Sequence, residues 1–142
     1  MAGAPLGEAV GASRALESVS LWKNALGPSG GVAFVERVKL SSSLTSLDLR
    51  SNKLDDECGV AIGGYLHRRT RLSTLLLSDN DLGEAAGKAI AKAWGESQTL
   101  CSLDIRANRL NSDAVKALKT ARGSAAKKQA GSGVPVELLV DE

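Results

Sequence analysis

One spacing constrains this chain more than anything else in it. Leu16, Leu44, Leu72 and Leu100 lie 28 residues apart, and each opens the same phrase: LESVSLWKNAL, LTSLDLRSNKL, LSTLLLSDNDL and LCSLDIRANRL. The columns hold without insertion. Val19, Leu47, Leu75 and Leu103 share one, and Leu21, Leu49, Leu77 and Ile105 share the next. Leu26, Leu54, Leu82 and Leu110 close the phrase, with Asn24, Asn52, Asn80 and Asn108 at one fixed place inside it. A chain written this way stacks copies of one supersecondary unit, each burying an apolar face that it cannot bury alone. The 142 residues therefore read as a single domain, 1–142. Residues 1–15 are a truncated N-terminal helix, repeats span 16–43, 44–71, 72–99 and 100–127, and 128–142 form a linker and closing strand.

Each unit has two halves. The x-L-x-L-x alternation has period two, which marks a short strand with one buried face. The asparagine follows where the chain leaves the strand, and its amide can satisfy turn backbone groups that no ladder reaches. Stacked copies make Asn24, Asn52, Asn80 and Asn108 an asparagine ladder. A helix comes next. Gly27, Asp55, Gly83 and Asn111 suit its N-cap, and Pro28, Asp56, Glu84 and Ser112 suit its first turn. Basic residues gather at the far ends: Lys39, then Arg68, Arg69 and Arg71, then Lys119 and Arg122. Phe34, Ile62, Ile90 and Leu118 mark the buried helix face, with Trp94 in the core column of Val38 and Leu66. Gly31, Gly59 and Gly87, replaced by Val115 in the fourth copy, predict close packing of helix on strand.

The ends depart from the pattern. Leu6–Gly11 echoes the helix start Leu82–Gly87. Ala121–Gly133 turns small and basic and reads as a flexible linker. Alternation then resumes, with Val136 and Leu138 as the inward positions of a fifth strand, about five residues late.

The phrase LxxLxLxxNxL, a helical second half and the 28-residue period resemble the leucine-rich repeat in its ribonuclease-inhibitor-like subtype. The resemblance covers residues 16–127. It implies an α/β fold: a right-handed solenoid, a segment of a horseshoe, with a parallel sheet on the concave face and helices on the convex face. It also implies a non-catalytic scaffold that binds a partner protein through the concave face. Two alternatives follow from the same resemblance. One is a Ran-type GTPase-activating regulator. The other is a structural fragment or subunit of a larger repeat protein such as an NLR-like sensor.

Composition narrows the function classes. Aromatic residues make up 3% of the chain, too few for a base-stacking nucleic-acid surface. One histidine, His67, and two cysteines, Cys58 and Cys101, do not furnish a structural zinc site, so no metal and no cofactor are expected. GPSGG at Gly27–Gly31 lacks the Lys-Ser/Thr of a phosphate loop. Cys58, near a helix start, has no histidine partner in reach, and His67-Arg68-Arg69 reads as a solvated helix end, so no catalytic residues are assigned. Sparse cysteine, no long apolar run and no secretory signal point to an intracellular, cytoplasmic setting, with the nucleus as an alternative. The net charge of +2 gives no general polyanion footprint, although residues 100–128 are distinctly basic.

Candidate function lies in the strand positions between the leucines. The residues read as partner-binding are Trp22, Asp48, Arg50, Lys53, Leu76, Asp104, Arg106 and Arg109. Trp22 stands in a column with Arg50, Ser78 and Arg106, which places it in solvent, and Trp and Arg are enriched among interface anchors. A stacked contact with Arg50 is the structural alternative. Asp48 with Arg50, and Asp104 with Arg106, repeat a charge pair that either selects a partner or is a solvated ion pair. Solenoid ends that bury only one face also suggest end-on docking or self-association.

Overall fold

The computed structural model describes residues 3–67 and 70–141. Among these residues five helices and five strands alternate: α1 (Gly3–Ala12), β1 (Ser18–Ser20), α2 (Gly27–Val38), β2 (Ser46–Asp48), α3 (Asp56–His67), β3 (Thr74–Leu76), α4 (Glu84–Glu96), β4 (Ser102–Asp104), α5 (Ser112–Gln129) and β5 (Glu137–Leu139). The strands form one parallel sheet in sequence order, and the helices stack beside it as a second layer. Register keeps the 28-residue columns, with Val19 opposite Leu47, Leu47 opposite Leu75, and Leu75 opposite Leu103. Leu47, Leu49, Leu75, Leu77, Leu103 and Ile105 are at most 1% exposed, with Phe34, Ile62, Ile90 and Leu118 meeting them from the helices. Fully burying one such side chain stabilises the fold by about 1.5–3 kcal/mol. Trp94 is fully buried, and its indole N–H donates to the Leu100 carbonyl at 2.9 Å.

Asn52, Asn80 and Asn108 close the turns, each acting on the repeat before its own. The Asn80 side-chain oxygen accepts from the Asn52 and Leu54 N–H groups, both at 3.0 Å. Its amide donates to the carbonyls of Leu49 and Leu77. Asn52 does the same one repeat earlier, accepting from Asn24 and Leu26 N–H and donating to Leu21, and the Asn108 oxygen accepts from Leu82 N–H. Asn24 differs: it is exposed, and its amide donates within its own turn, to the Trp22 carbonyl. The same turns hold Lys23, Ser51, Asp79 and Ala107 at φ of 54–58°, the left-handed region.

Helix starts follow two schemes. Asp55 caps α3 by accepting from Cys58 N–H at 3.3 Å, and Asn111 caps α5 by accepting from Ala114 N–H at 2.9 Å. Gly83 has no side chain to offer, so Asp56 of the preceding repeat accepts from the N–H groups of Gly83 (2.8 Å) and Ala86 (3.0 Å). Gly27, expected as a cap, is instead the first residue of α2, at φ 68°, with Leu26 before it.

Four expectations are corrected. First, the recurrent glycines admit the next helix and its turn, rather than their own strand. A Cβ on Gly59 would lie 2.2 Å from Ala86 Cβ, and one on Gly31 would lie 2.5 Å from Leu54 Cδ2. Second, the echo of Leu82 at Leu6 is not structural. α1 keeps the 28-residue columns, so Gly3 corresponds to Gly31 and the buried Val10 to Val38, while Leu6 lies within the helix, 39% exposed. Third, the small, basic stretch from Ala121 is not a flexible linker. Its alanines and lysines extend α5 to Gln129. Lys128 donates to the Gly95 and Ser97 carbonyls and Gln129 to Gln98, pinning the extra turns to the end of α4. Fourth, Leu138 pairs with Leu103, so Leu138 and Val140, not Val136 and Leu138, take the two inward leucine positions of the repeat, although Val136 also packs against the core. The longer helix delays the strand by seven residues against the period. The reading of Arg68 and Arg69 as a solvated terminus lies outside the described residues.

Candidate concave binding face

Short strands present only a few outward residues each, so the face is built from columns. Parallel pairing continues past the strand ends, with Leu21 N–H donating to Asp48, Lys23 to Arg50, Ser51 to Ser78 and Asp79 to Arg106. That ladder brings Trp22, Arg50, Ser78 and Arg106 into one row, with adjacent members about 4.8 Å apart. Ser20, Asp48, Leu76 and Asp104 form the row beside it, opposed through the sheet register.

Trp22 is 50% exposed. The Lys23 ammonium lies 4.7 Å from its ring centroid and the Arg50 guanidinium carbon 5.7 Å, so two cations contact the indole. Each such contact is worth about 0.5–1 kcal/mol at an exposed site. The stacking on Arg50 is therefore present, and it leaves half of the ring open. Lys23 was missed from sequence because its column (Ser51, Asp79, Ala107) carries no consistent chemistry.

The two charge pairs are not freely solvated. Asp48 is 8% exposed and Asp104 4%. Arg50 grips Asp48 with two side-chain bonds, Nε to Oδ1 at 2.9 Å and Nη2 to Oδ2 at 2.7 Å, and its backbone N–H adds a third at 3.1 Å. Arg106 repeats the fork on Asp104 at 3.0 and 2.9 Å. Burial alone would raise the Asp48 carboxyl, but the Arg50 bonds outweigh it and hold the pKa below the ordinary value, with the Ser20 hydroxyl assisting. The face thus presents guanidinium edges, while the carboxylates serve to orient them.

The remaining predicted residues scatter around this row. Leu76 is half-buried between the two forks. Lys53 and Arg109 lie further along the turns, where Arg109 meets Asp81 at 3.4 Å and both are well exposed. Lys53, Ser51, Asp79, Asn80 and Asp81 line a small polar hollow of about 300 Å³. Glu137 and Asp141 of the β5 side raise the pKa of Arg106, though less than Asp104 does, so this end of the face is of mixed charge. The Trp22 end carries Lys23, Arg50 and Lys53 and is basic and aromatic. Cys58 offers no nucleophile: it is fully buried, and burial together with the charges of Asp55 and Glu57 pushes its thiol up to about 12.

A family profile described as a leucine rich repeat matches residues 40–63, and the repeated geometry extends that unit along the chain. The chain folds as a leucine-rich-repeat solenoid. Among solved structures it is similar to the Leiomodin-1 Actin-Binding Site 2 fragment. That match has a TM-score of 0.77 at 16% identity, covering 97% of this chain and 78% of the other. Comparison with curated protein sequences finds no match. Among the described residues, no helix of this solenoid is long and apolar enough to cross a membrane.

Proposed function

We propose that this solenoid is a non-catalytic scaffold of the ribonuclease-inhibitor-like subtype that grips a partner protein on its concave face. The observation that carries the reading is the open Trp22 ring, flanked by Lys23 and by an Arg50 whose fork on Asp48 fixes its direction. A rigid aromatic anchor beside an oriented guanidinium is the chemistry of interface hot spots. Such a patch suits a partner segment that brings an apolar side chain to the indole and a carboxylate to the cations. The structural neighbour is named for an actin-binding site of leiomodin-1, which makes actin the first partner to try. Two cysteines without a disulfide support a reducing, cytoplasmic setting. The test is co-sedimentation with filamentous actin, together with affinity capture from cytosol, comparing wild type with a Trp22→Ala/Lys23→Glu variant, which leaves the Asp48 fork intact. Loss of partner at unchanged melting temperature is the expected result. Equal recovery by both proteins would move the site off this face.

A second reading, docking through the solenoid ends, is favoured by one observation. Val19 and Leu21 at one end, and Leu138 and Val140 at the other, are only partly buried, whereas their counterparts in the inner strands are closed.

A further inference from the structure

The two ends of this solenoid are complementary halves of one repeat. At one end α1 packs on α2 through Gly3, Gly7 and Gly11, where an added Cβ would fall 2.0–2.5 Å from α2 carbonyl oxygens. The opposite side of α1, with Pro5, Leu6 and Ala9, is exposed. Next to it, β1 pairs with β2 and, among the described residues, with no other strand. At the other end β5 likewise pairs with β4 alone. Beside β5, an open cavity of about 740 Å³ runs along α5, lined by Leu110, Val115, Lys116 and Lys119 among others. Val115 stands in the column of Gly31, Gly59 and Gly87, the residues against which the next helix sits. The cavity is thus a helix seat, and one end offers helix then strand where the other offers strand and seat.

Three further observations select a second copy of this chain as the occupant. The partly buried columns match: continuing the register Leu103–Leu138 sets Val19 of a copy beside Leu138, and Leu21 beside Val140. The charges oppose each other in both layers. The seat carries Lys116, with Lys119 beside Asp141, where α1 brings Glu8, and the β5 strand carries Glu137 where β1 is followed by Lys23. Asn24 supplies the third. Asn52 donates to Leu21 of the repeat before it at 2.8 Å, while Asn24 bonds within its own turn. Carried across the joint by the same register, the acceptor for Asn24 of a copy is the Val140 carbonyl. Val115 is larger than the glycine it replaces, so the docked helix stands further out than inside the stack, and the small Pro5–Ala9 side of α1 suits that fit.

We propose that this chain assembles head to tail with further copies of itself, α1 and β1 of one copy completing α5 and β5 of the next into a composite repeat. This deepens the end-on docking reading and rests on it. The contact is heterologous, so it propagates into open chains or rings instead of closing as a two-fold dimer.

Sedimentation velocity across a concentration series tests it with three variants, each checked for an unchanged melting transition. Leu6→Lys blocks the α1 end, and Lys116→Glu/Lys119→Glu blocks the α5 seat. Wild type should grow into higher species with concentration, and each blocked variant should remain monomeric alone. Their equimolar mixture should stop at a dimer, because one intact end of each kind remains. Asn24→Ala should weaken wild-type association roughly five- to tenfold, the worth of one net hydrogen bond. Monomeric wild type at every concentration overturns the end-on reading together with the composite repeat. Association in which blocked variants still self-associate, or fail to complement each other, overturns the composite repeat and leaves end-on docking standing.

Discussion

Replacing Asn80 by alanine should cost this fold far more than the same change at Asn24, although the two residues share a sequence column. Asn80 is 7% exposed and makes two kinds of bond. Its amide donates to Leu49 and Leu77, but those carbonyls keep a second donor, Leu49 from Asn52 at 3.2 Å and Leu77 from Asn108 at 3.0 Å. Its oxygen accepts from Asn52 and Leu54 N–H, which have no other acceptor among the described residues. The loss therefore rests on two buried donors, each costing about 1–3 kcal/mol when left unmade, or about 2–6 kcal/mol together. For a domain of this length, at about 3 °C per kcal/mol, that is a fall in Tm of roughly 6–18 °C. Asn24 loses one exposed bond inside its own turn, and Asn24→Ala should stay within about 0.5 kcal/mol of wild type at dilute, monomeric concentration. Urea denaturation followed by circular dichroism gives both values, provided the m-values agree. Losses within about 1 kcal/mol of each other would refute the argument that the ladder acts through buried turn donors.

Two further predictions rest on packing. Gly59→Ala places a methyl 2.2 Å from Ala86 Cβ and should destabilise by about 1–3 kcal/mol, whereas Gly64→Ala, with open space around it, should stabilise by about 0.5–1 kcal/mol; thermal melts of the two variants check the signs. Under native conditions, a maleimide should label the partly exposed Cys101 well before the buried Cys58, whose thiol stays protonated until pH nears 12; peptide mass mapping resolves the two sites, and early labelling of Cys58 would contradict its burial.

The period alone made the strands, their register and the inner core legible, because each column repeats one physical requirement. What the sequence hid were interactions that cross from one repeat to the next. Asp56 looks like a first-turn acid of its own helix, yet it caps α4, because Gly83 there has nothing to offer. The glycine column looks like helix-on-strand packing, yet its space is taken by the following helix. At α5, local helix propensity and the contacts of Lys128 and Gln129 overrode the period, and the displaced β5 followed. On the concave face, Trp22 was legible by its column. The covered state of Asp48 and Asp104 was not, because D-x-L-R spacing does not say whether an arginine folds back onto its own strand.

Several of the side chains that finish a unit belong to its neighbours, and they act in opposite directions. Turn donors at Asn52 and Leu54 are closed by Asn80 from the following repeat, while the first turn of α4 is closed by Asp56 from the preceding one. Melting of this stack is therefore chemically different at its two ends. Peeling away from the β5 side strips acceptors from turns left behind, while peeling from the α1 side, once it reaches α3, strips the Asp56 cap from α4. Free energy in such a molecule sits at the joints, and no single 28-residue unit carries a stability of its own that could be isolated and measured.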